Sequence, residues 1–249
     1  GCISYSQESL AILFFLFLII GVYEFCKIAA LNLFVSLPIA AISYYFLWNK
    51  SQNFTIKTII VSLSIIISIK LLLYLFNTQK TNFKIATRYL LLIGYIIIPF
   101  VITNYVAIGK NGYNPKILIS ILILIWANDT FAYLVGKNFG KNKLFPSVSP
   151  KKTIEGFVGG MFFTIISSVL LSKFYIESNI LYIWIIIAII VSIFSTLGDL
   201  IQSKFKRVAG IKDSGKIMPG HGGILDRLDS IIFVIPFINL FYLILYYVS

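Results

Sequence analysis

The sequence predicts an all-α integral membrane protein, a bundle of about eight transmembrane helices, on three observations. Of 249 residues, 59% are hydrophobic and 12% are charged, whereas soluble domains run near half apolar and a quarter charged. The excess arrives in unbroken runs: 180–197 and 230–249 contain no charged residue. Runs of about 18 or more apolar residues are long enough to cross a bilayer. Finally, Lys and Arg gather between the apolar runs, which is how membrane proteins fix their orientation. That clustering also argues against nucleic acid as the partner implied by a net charge of +12.

Eight candidate spans follow in order, at about 10–27, 32–48, 56–76, 87–107, 117–137, 154–173, 180–199 and 229–248. The whole of 1–249 reads as one transmembrane domain. Its more variable helices occupy about 1–116, and its chemistry-bearing helices and loops about 117–249. The loops after spans one, three, five and seven carry fifteen basic residues, and the opposite side carries five. The positive-inside rule puts the richer side in the cytoplasm. Lys70 falls inside span three, near enough to its inner end to snorkel. Cys2 and Cys26 define no disulfide framework. The chain opens Gly-Cys-Ile-Ser, with neither Met nor a charged segment ahead of its first apolar run. It does not read as a signal peptide, and a further helix is expected to precede Gly1.

The acids are unevenly placed. Glu24, Asp129, Glu155, Asp199, Asp213, Asp226 and Asp229 all fall at inner span ends or in inner loops. A carboxylate within a span costs a few kcal/mol and marks function. Glu24 is the expected exception, an interfacial acid neutralising a nearby Lys. Asp129 sits with Asn128 well inside its span.

The segment 198–229, GDLIQSKFKRVAGIKDSGKIMPGHGGILDRLD, combines three chemistries. Asp199, Asp213, Asp226 and Asp229 offer hard oxygen ligands suited to Mg²⁺. Lys204, Lys206, Arg207, Lys212 and Arg227 offer charge for phosphates. Gly220, Gly222 and Gly223 flank His221, the single histidine, in a loop able to present N–H groups to an anion. His221 is expected to contact phosphate or shape that loop. Asp226 and Asp229, three apart, share a helix face, and Asp199 closes the preceding span, so one metal could bridge two helix ends. Metal, cations and a glycine loop are what transfer of a phosphate-bearing group requires.

A second polar loop reads SVSPKKTIEGFVGG over 147–160. Ser149-Pro150 marks a turn. Thr153 is a candidate cap for a helix starting near Ile154, with Glu155 in its first turn. Lys151 and Lys152 then stand at a helix N-terminus, a natural anion site.

At these residues the chain resembles the phosphatidate cytidylyltransferase family. The resemblance rests on Ser203, Lys206, Arg207, Lys212, Asp213, Pro219, His221, Gly222, Gly223, Asp226, Arg227 and Asp229 at the family's spacing. It extends to Asn128-Asp129-Thr130, Ser149–Thr153 with Glu155-Gly156, and Gly198-Asp199-Leu200. Tyr23-Glu24-Phe25 is a weaker echo. Gln202 departs from the Glu found before the serine in many members.

The resemblance implies CTP and phosphatidic acid as substrates, CDP-diacylglycerol and pyrophosphate as products, and a bacterial inner-membrane enzyme facing the cytoplasm. It implies Mg²⁺ on Asp199 and Asp226. Lys206, Arg207 and Lys212 would offset substrate charge. Asp213 and His221 would join the catalytic set. Substrate contacts would come from Asn128, Asp129, Ser149, Lys151, Lys152, Thr153, Glu155, Ser203, Gly222, Gly223, Arg227 and Asp229. Asp129, Asp213 and Asp229 would support the metal or hold a second cation. A second copy of the chain is a candidate partner.

A membrane transporter is the competing class, with Asn128, Asp129 and Lys70 lining an ion path. Against it, the halves show no inverted repeat, and the polar groups gather on one face rather than at mid-membrane. A CDP-alcohol phosphotransferase would need an Asp-Gly…Ala-Arg pattern, which is absent.

Overall fold

In the computed structural model, residues 2–49, 53–77, 83–109, 112–178, 180–215 and 222–248 are described. Among these residues, eight apolar helices follow a single-turn helix at Cys2–Tyr5. They are α1 (Gln7–Ala29), α2 (Leu33–Asn49), α3 (Phe54–Phe76), α4 (Ile85–Val106), α5 (Pro115–Phe139), α6 (Ile154–Ile176), α7 (Leu181–Val208) and α8 (Leu225–Val248). Each falls on one of the eight expected runs. Among the described residues, seven are long and apolar enough to cross a membrane, and α2 is shorter at 17 residues. At 1.5 Å per residue α2 spans about 26 Å, near the lower limit for a ~30 Å hydrocarbon core. The chain is an integral membrane protein built as a helical bundle.

Local chemistry sets the helix starts. Asn53 accepts from the Ile56 N–H at 3.1 Å. Asn114 accepts from the Lys116 N–H at 3.1 Å, with Pro115 at the first helical position. Each satisfies a donor that the helix itself cannot. Two antiparallel ribbons join helices: β1 (Ile108–Gly109) with β2 (Gly112–Tyr113), and β3 (Lys143–Phe145) with β4 (Ser149–Thr153). Ser149-Pro150, expected as a turn, opens β4 instead. The turn lies at 146–148, closed by the Val148 N–H on the Phe145 carbonyl at 3.2 Å.

Two boundaries differ from the expected ones, and both matter for the site. α7 runs 28 residues, about 42 Å, and so passes well beyond 199. Its apolar stripe does not stop there: Leu200, Ile201 and Phe205 are buried against the bundle. Ser203, Lys206 and Arg207 therefore ride on a helix, not a loop. α8 starts at Leu225 rather than 229, which places Asp226 in its first turn.

Cations tie together helix ends on the side richer in Lys and Arg. Lys204 donates to the carbonyls of Tyr74, Leu75 and Asn77, the last at 2.6 Å, and so closes the end of α3. Arg88 donates to the Ala29 carbonyl at 3.0 Å, closing the end of α1. Cations at helix C-termini meet unpaired carbonyls and the negative end of the dipole. The ends of α1, α3 and α7 thus lie together, as the loop parity requires.

α6 packs through a seam of small residues, Gly156, Gly160, Thr164, Ser168 and Ser172, one every four positions and all buried. Small residues allow close backbone approach inside a membrane. A Cβ on Gly160 would meet the Asn128 carbonyl oxygen at 2.9 Å. Gly160→Val is therefore expected to force α6 off α5 and cost about 1–3 kcal/mol, read as a lower thermal unfolding midpoint in detergent. An unchanged midpoint would show that the seam tolerates a side chain.

Candidate active site

On the side richer in Lys and Arg, the ends of α5, α6, α7 and α8, with the β3–β4 hairpin, enclose a cavity of about 610 Å³. Its walls carry opposite charge. Asp129 of α5, Asp199 of α7, and Asp226 and Asp229 of α8 supply carboxylates. Lys137 of α5 and Lys151 and Lys152 of β4 supply ammonium groups. Four elements far apart in sequence thus converge on one charged chamber.

Two carboxylates carry their own counter-ions. Lys152 pairs with Asp199, each side chain about a third exposed. Lys206 donates to Asp226 Oδ1 at 2.7 Å, with side-chain exposures of 11% and 10%. The second pair is the consequential one: exposed pairs are worth little, while breaking a buried pair strands a charge. Ser203 donates to Asp199 Oδ1 at 3.3 Å. Asp129 and Asp229 have no ion-pair partner among the described residues. Asp229 is buried and accepts the Ser230 N–H at 2.7 Å. Asn128, also buried, donates to Ser195 Oγ at 3.0 Å, which links α5 to α7 beneath the cavity.

Asp226 organises its own loop. Oδ2 accepts the Ser214 N–H at 2.8 Å and the Gly223 N–H at 3.0 Å. Gly222 adopts φ +84°, and a Cβ there would meet Asp226 Oδ2 at 2.7 Å. A side chain is thus excluded by both backbone and space. The consecutive glycines read as a phosphate cradle serve here to let two backbone N–H groups close on a carboxylate.

Of the expected residues, Asn128, Asp129, Lys151, Lys152, Thr153, Asp199, Asp226 and Asp229 line the cavity. Thr153 caps α6 through the Gly156 N–H at 3.1 Å, as its position predicts. Others lie off the lining. Glu155, expected to contact substrate, turns back to accept the N–H groups of Lys141 and Asn142, both at 3.1 Å. Ser149 pairs with Phe145 in the hairpin. Lys206 reaches the cavity only through Asp226. Arg207 donates to the Ile211 carbonyl at 3.3 Å, closing the end of α7. Lys212, Asp213 and Arg227 are exposed. His221 lies outside the described residues.

Sequence reasoning missed Lys137, counted only as a positive-inside residue, and Phe157, an aromatic member of the lining. It also misread Glu24. That side chain does not neutralise Lys27, whose ammonium lies 4.0 Å over the Tyr23 ring. It is buried against the Asp226 loop.

The donor set bears on a metal. Among the described residues no three His, Cys, Asp or Glu side chains are arranged to hold an ion. A ready-made cage is not what Mg²⁺ needs, since it is commonly held by one or two carboxylates plus substrate phosphates and water. Oxygen donors at Asp199 and Asp226, on two helix ends facing one cavity, fit such an ion.

Comparison with known proteins places the chain. A model of the cytidylyltransferase family matches residues 1–245. The chain is similar to the phosphatidate cytidylyltransferase of Staphylococcus haemolyticus (strain JCSC1435), 40% identical over 190 residues, covering 76% of this chain and 70% of that protein. It is 41% identical over 191 residues to that of Staphylococcus aureus (strain COL), with coverage of 76% and 70%. For the Staphylococcus saprophyticus protein the identity is 44% over 165 residues, covering 66% and 62%. With the match running almost end to end and the charged chamber built from the matched segments, the chain belongs to the cytidylyltransferase family.

Proposed function

We propose that the protein is a phosphatidate cytidylyltransferase, transferring CMP from CTP to phosphatidic acid. One observation carries this reading beyond family membership: a single cavity at the helix ends opposes four carboxylates to three lysines. Two anionic substrates and a cation need both signs within reach of one another, and catalysis of this kind is positioning plus charge stabilisation.

In this reading a phosphate oxygen of phosphatidic acid attacks the α-phosphorus of CTP. The bond from that phosphorus to the bridging oxygen of the β-phosphate breaks, and pyrophosphate leaves with the electron pair. Lys137, Lys151 and Lys152 meet phosphate oxygens and offset the charge that builds on the leaving group. Asp199 and Asp226 would hold Mg²⁺, whose contribution is to neutralise the triphosphate, and Asp129 and Asp229 are left as acceptors for a second cation. A lipid phosphate sits at the membrane surface, which is where inner helix ends meet water. The fifteen-to-five bias of basic residues supports a cytoplasmic site, and the bacterial relatives support the cytoplasmic membrane.

The test is direct. Protein purified in detergent, given CTP, phosphatidic acid and Mg²⁺, is expected to form nucleotide-linked lipid and pyrophosphate in equal amounts; wild-type protein that forms neither overturns the reading. Lys152→Gln should raise KM about 10- to 150-fold for whichever substrate's phosphate Lys152 meets, since one charge-assisted hydrogen bond is worth roughly 1.5–3 kcal/mol. Its unfolding midpoint should scarcely move, because the Lys152–Asp199 pair is partly exposed. Unchanged KM for both substrates would remove Lys152 from the phosphate contacts.

A further inference from the structure

We infer that Glu24 is a positioning residue for this transfer: from the first helix, its carboxylate holds the base of the loop that delivers Asp226 to the cavity. The inference rests on the functional reading above. Glu24 is 1% exposed. Its Oε2 accepts from Ser214 Oγ at 2.8 Å and from the Leu225 N–H at 2.8 Å, and its Oε1 accepts the Ile224 N–H at 3.0 Å. Leu225 opens α8, so a carboxylate from α1 satisfies donors at the start of a helix some two hundred residues away.

The surrounding sequence makes room for it. A Cβ on Gly215 would lie 2.5 Å from Glu24 Oε1. One on Gly223 would overlap both Glu24 oxygens and Ser214 Oγ. Glycine at these two positions is therefore required by the carboxylate of another helix.

Ser214 is held from two sides. Its hydroxyl donates to Glu24, and its backbone N–H donates to Asp226. Asp226 has both oxygens engaged, Oδ1 with Lys206 and Oδ2 with two backbone N–H groups. To meet a cation or substrate it must release or share a partner. With Glu24 in place, the junction of 214 with 224–225 keeps three hydrogen bonds whatever Asp226 does. Without Glu24, Asp226 becomes the clamp between Ser214 and Gly223 and is less available to the cavity. Glu24 is the fixed carboxylate and Asp226 the exchangeable one.

The test uses Glu24→Gln and Ser214→Ala in the full chain. A carboxamide has one acceptor oxygen and sets an NH₂ against a backbone donor, so Glu24→Gln breaks the arrangement at nearly constant volume. Its kcat should fall about 10- to 100-fold, the scale of a small misplacement of a reacting group, with KM for both substrates within about threefold and the half-saturating Mg²⁺ concentration raised several-fold. Ser214→Ala keeps the backbone N–H to Asp226 and should shift kcat and Mg²⁺ demand the same way, by about 3- to 10-fold. Without substrates, amide exchange over 222–228 should quicken about 10-fold in Glu24→Gln, reporting local opening.

A folded Glu24→Gln with wild-type kcat, Mg²⁺ demand and exchange overturns the inference. So does a rate loss accompanied only by a lower unfolding midpoint. If Glu24→Gln does not fold, Ser214→Ala decides on the same criteria. Wild-type protein that makes no nucleotide-linked lipid defeats the functional reading instead, and the exchange measurement still decides whether Glu24 holds the loop.

Discussion

Asp226→Asn should lower kcat by about 10³-fold, the upper range for loss of one preorganised electrostatic group, while the protein still folds and inserts. The side chain is nearly isosteric, and what changes is its hydrogen-bonding capacity. The carboxylate accepts from Lys206, Ser214 and Gly223. An amide keeps one oxygen and turns an NH₂ group toward either the ammonium or the two backbone donors. It also removes the negative charge that would meet a cation across the cavity from Asp199. Initial rates at saturating CTP and phosphatidic acid measure the loss. Activity within tenfold of wild type would take Asp226 out of the reaction.

Lys206→Met should be the most damaging single change to stability, at about 3–5 kcal/mol, because it leaves the Asp226 carboxylate buried without its cation. Lys206 is buried, and Met fills similar space, so the loss comes from charge rather than volume. The double variant Lys206→Met/Asp226→Asn should recover most of that stability, since neither charge remains to be stranded, and should stay inactive. Thermal unfolding in detergent reads the first effect, and the rate assay reads the second. A double variant no more stable than Lys206→Met would mean that the pair does not carry the energy.

The bundle was legible because membrane spans announce themselves by composition: each of the eight apolar runs became a helix. The end of α7 and the start of α8 were not, for a physical reason. Past Asp199 the sequence turns polar, so hydropathy sees an end. The helix continues because Leu200, Ile201 and Phe205 still face the bundle. Lys204 and Lys206 are consumed by helix carbonyls and by Asp226. The acidic wall was readable, since Asp129, Asp199, Asp226 and Asp229 stand in apolar or glycine-rich settings where a carboxylate has little reason to be. Their convergence with 149–155 on one side followed from the loop parity, but the place of Lys137 among them did not, because it depends on α5 and α6 packing through the Gly156–Gly160 seam.

Glu155 and Glu24 fail in opposite directions. A first-turn acid beside two lysines looks like part of an anion site, yet its reach back to Lys141 and Asn142 is a local hairpin contact. An interfacial acid in the first helix looks like a neutraliser, yet its partners lie about 190 to 201 residues away. No window along the sequence contains both ends of that contact. Gly215 and Gly223 were the available signal: small residues in a polar loop leave space that something else must fill.

The position of the label decides the chemistry. Purified wild-type protein in detergent with phosphatidic acid and Mg²⁺ should move phosphorus from α-labelled CTP into lipid, and from γ-labelled CTP into pyrophosphate only, both at the same rate. Lipid labelled from the γ position, or no lipid labelled from the α position, would contradict transfer of CMP at this site.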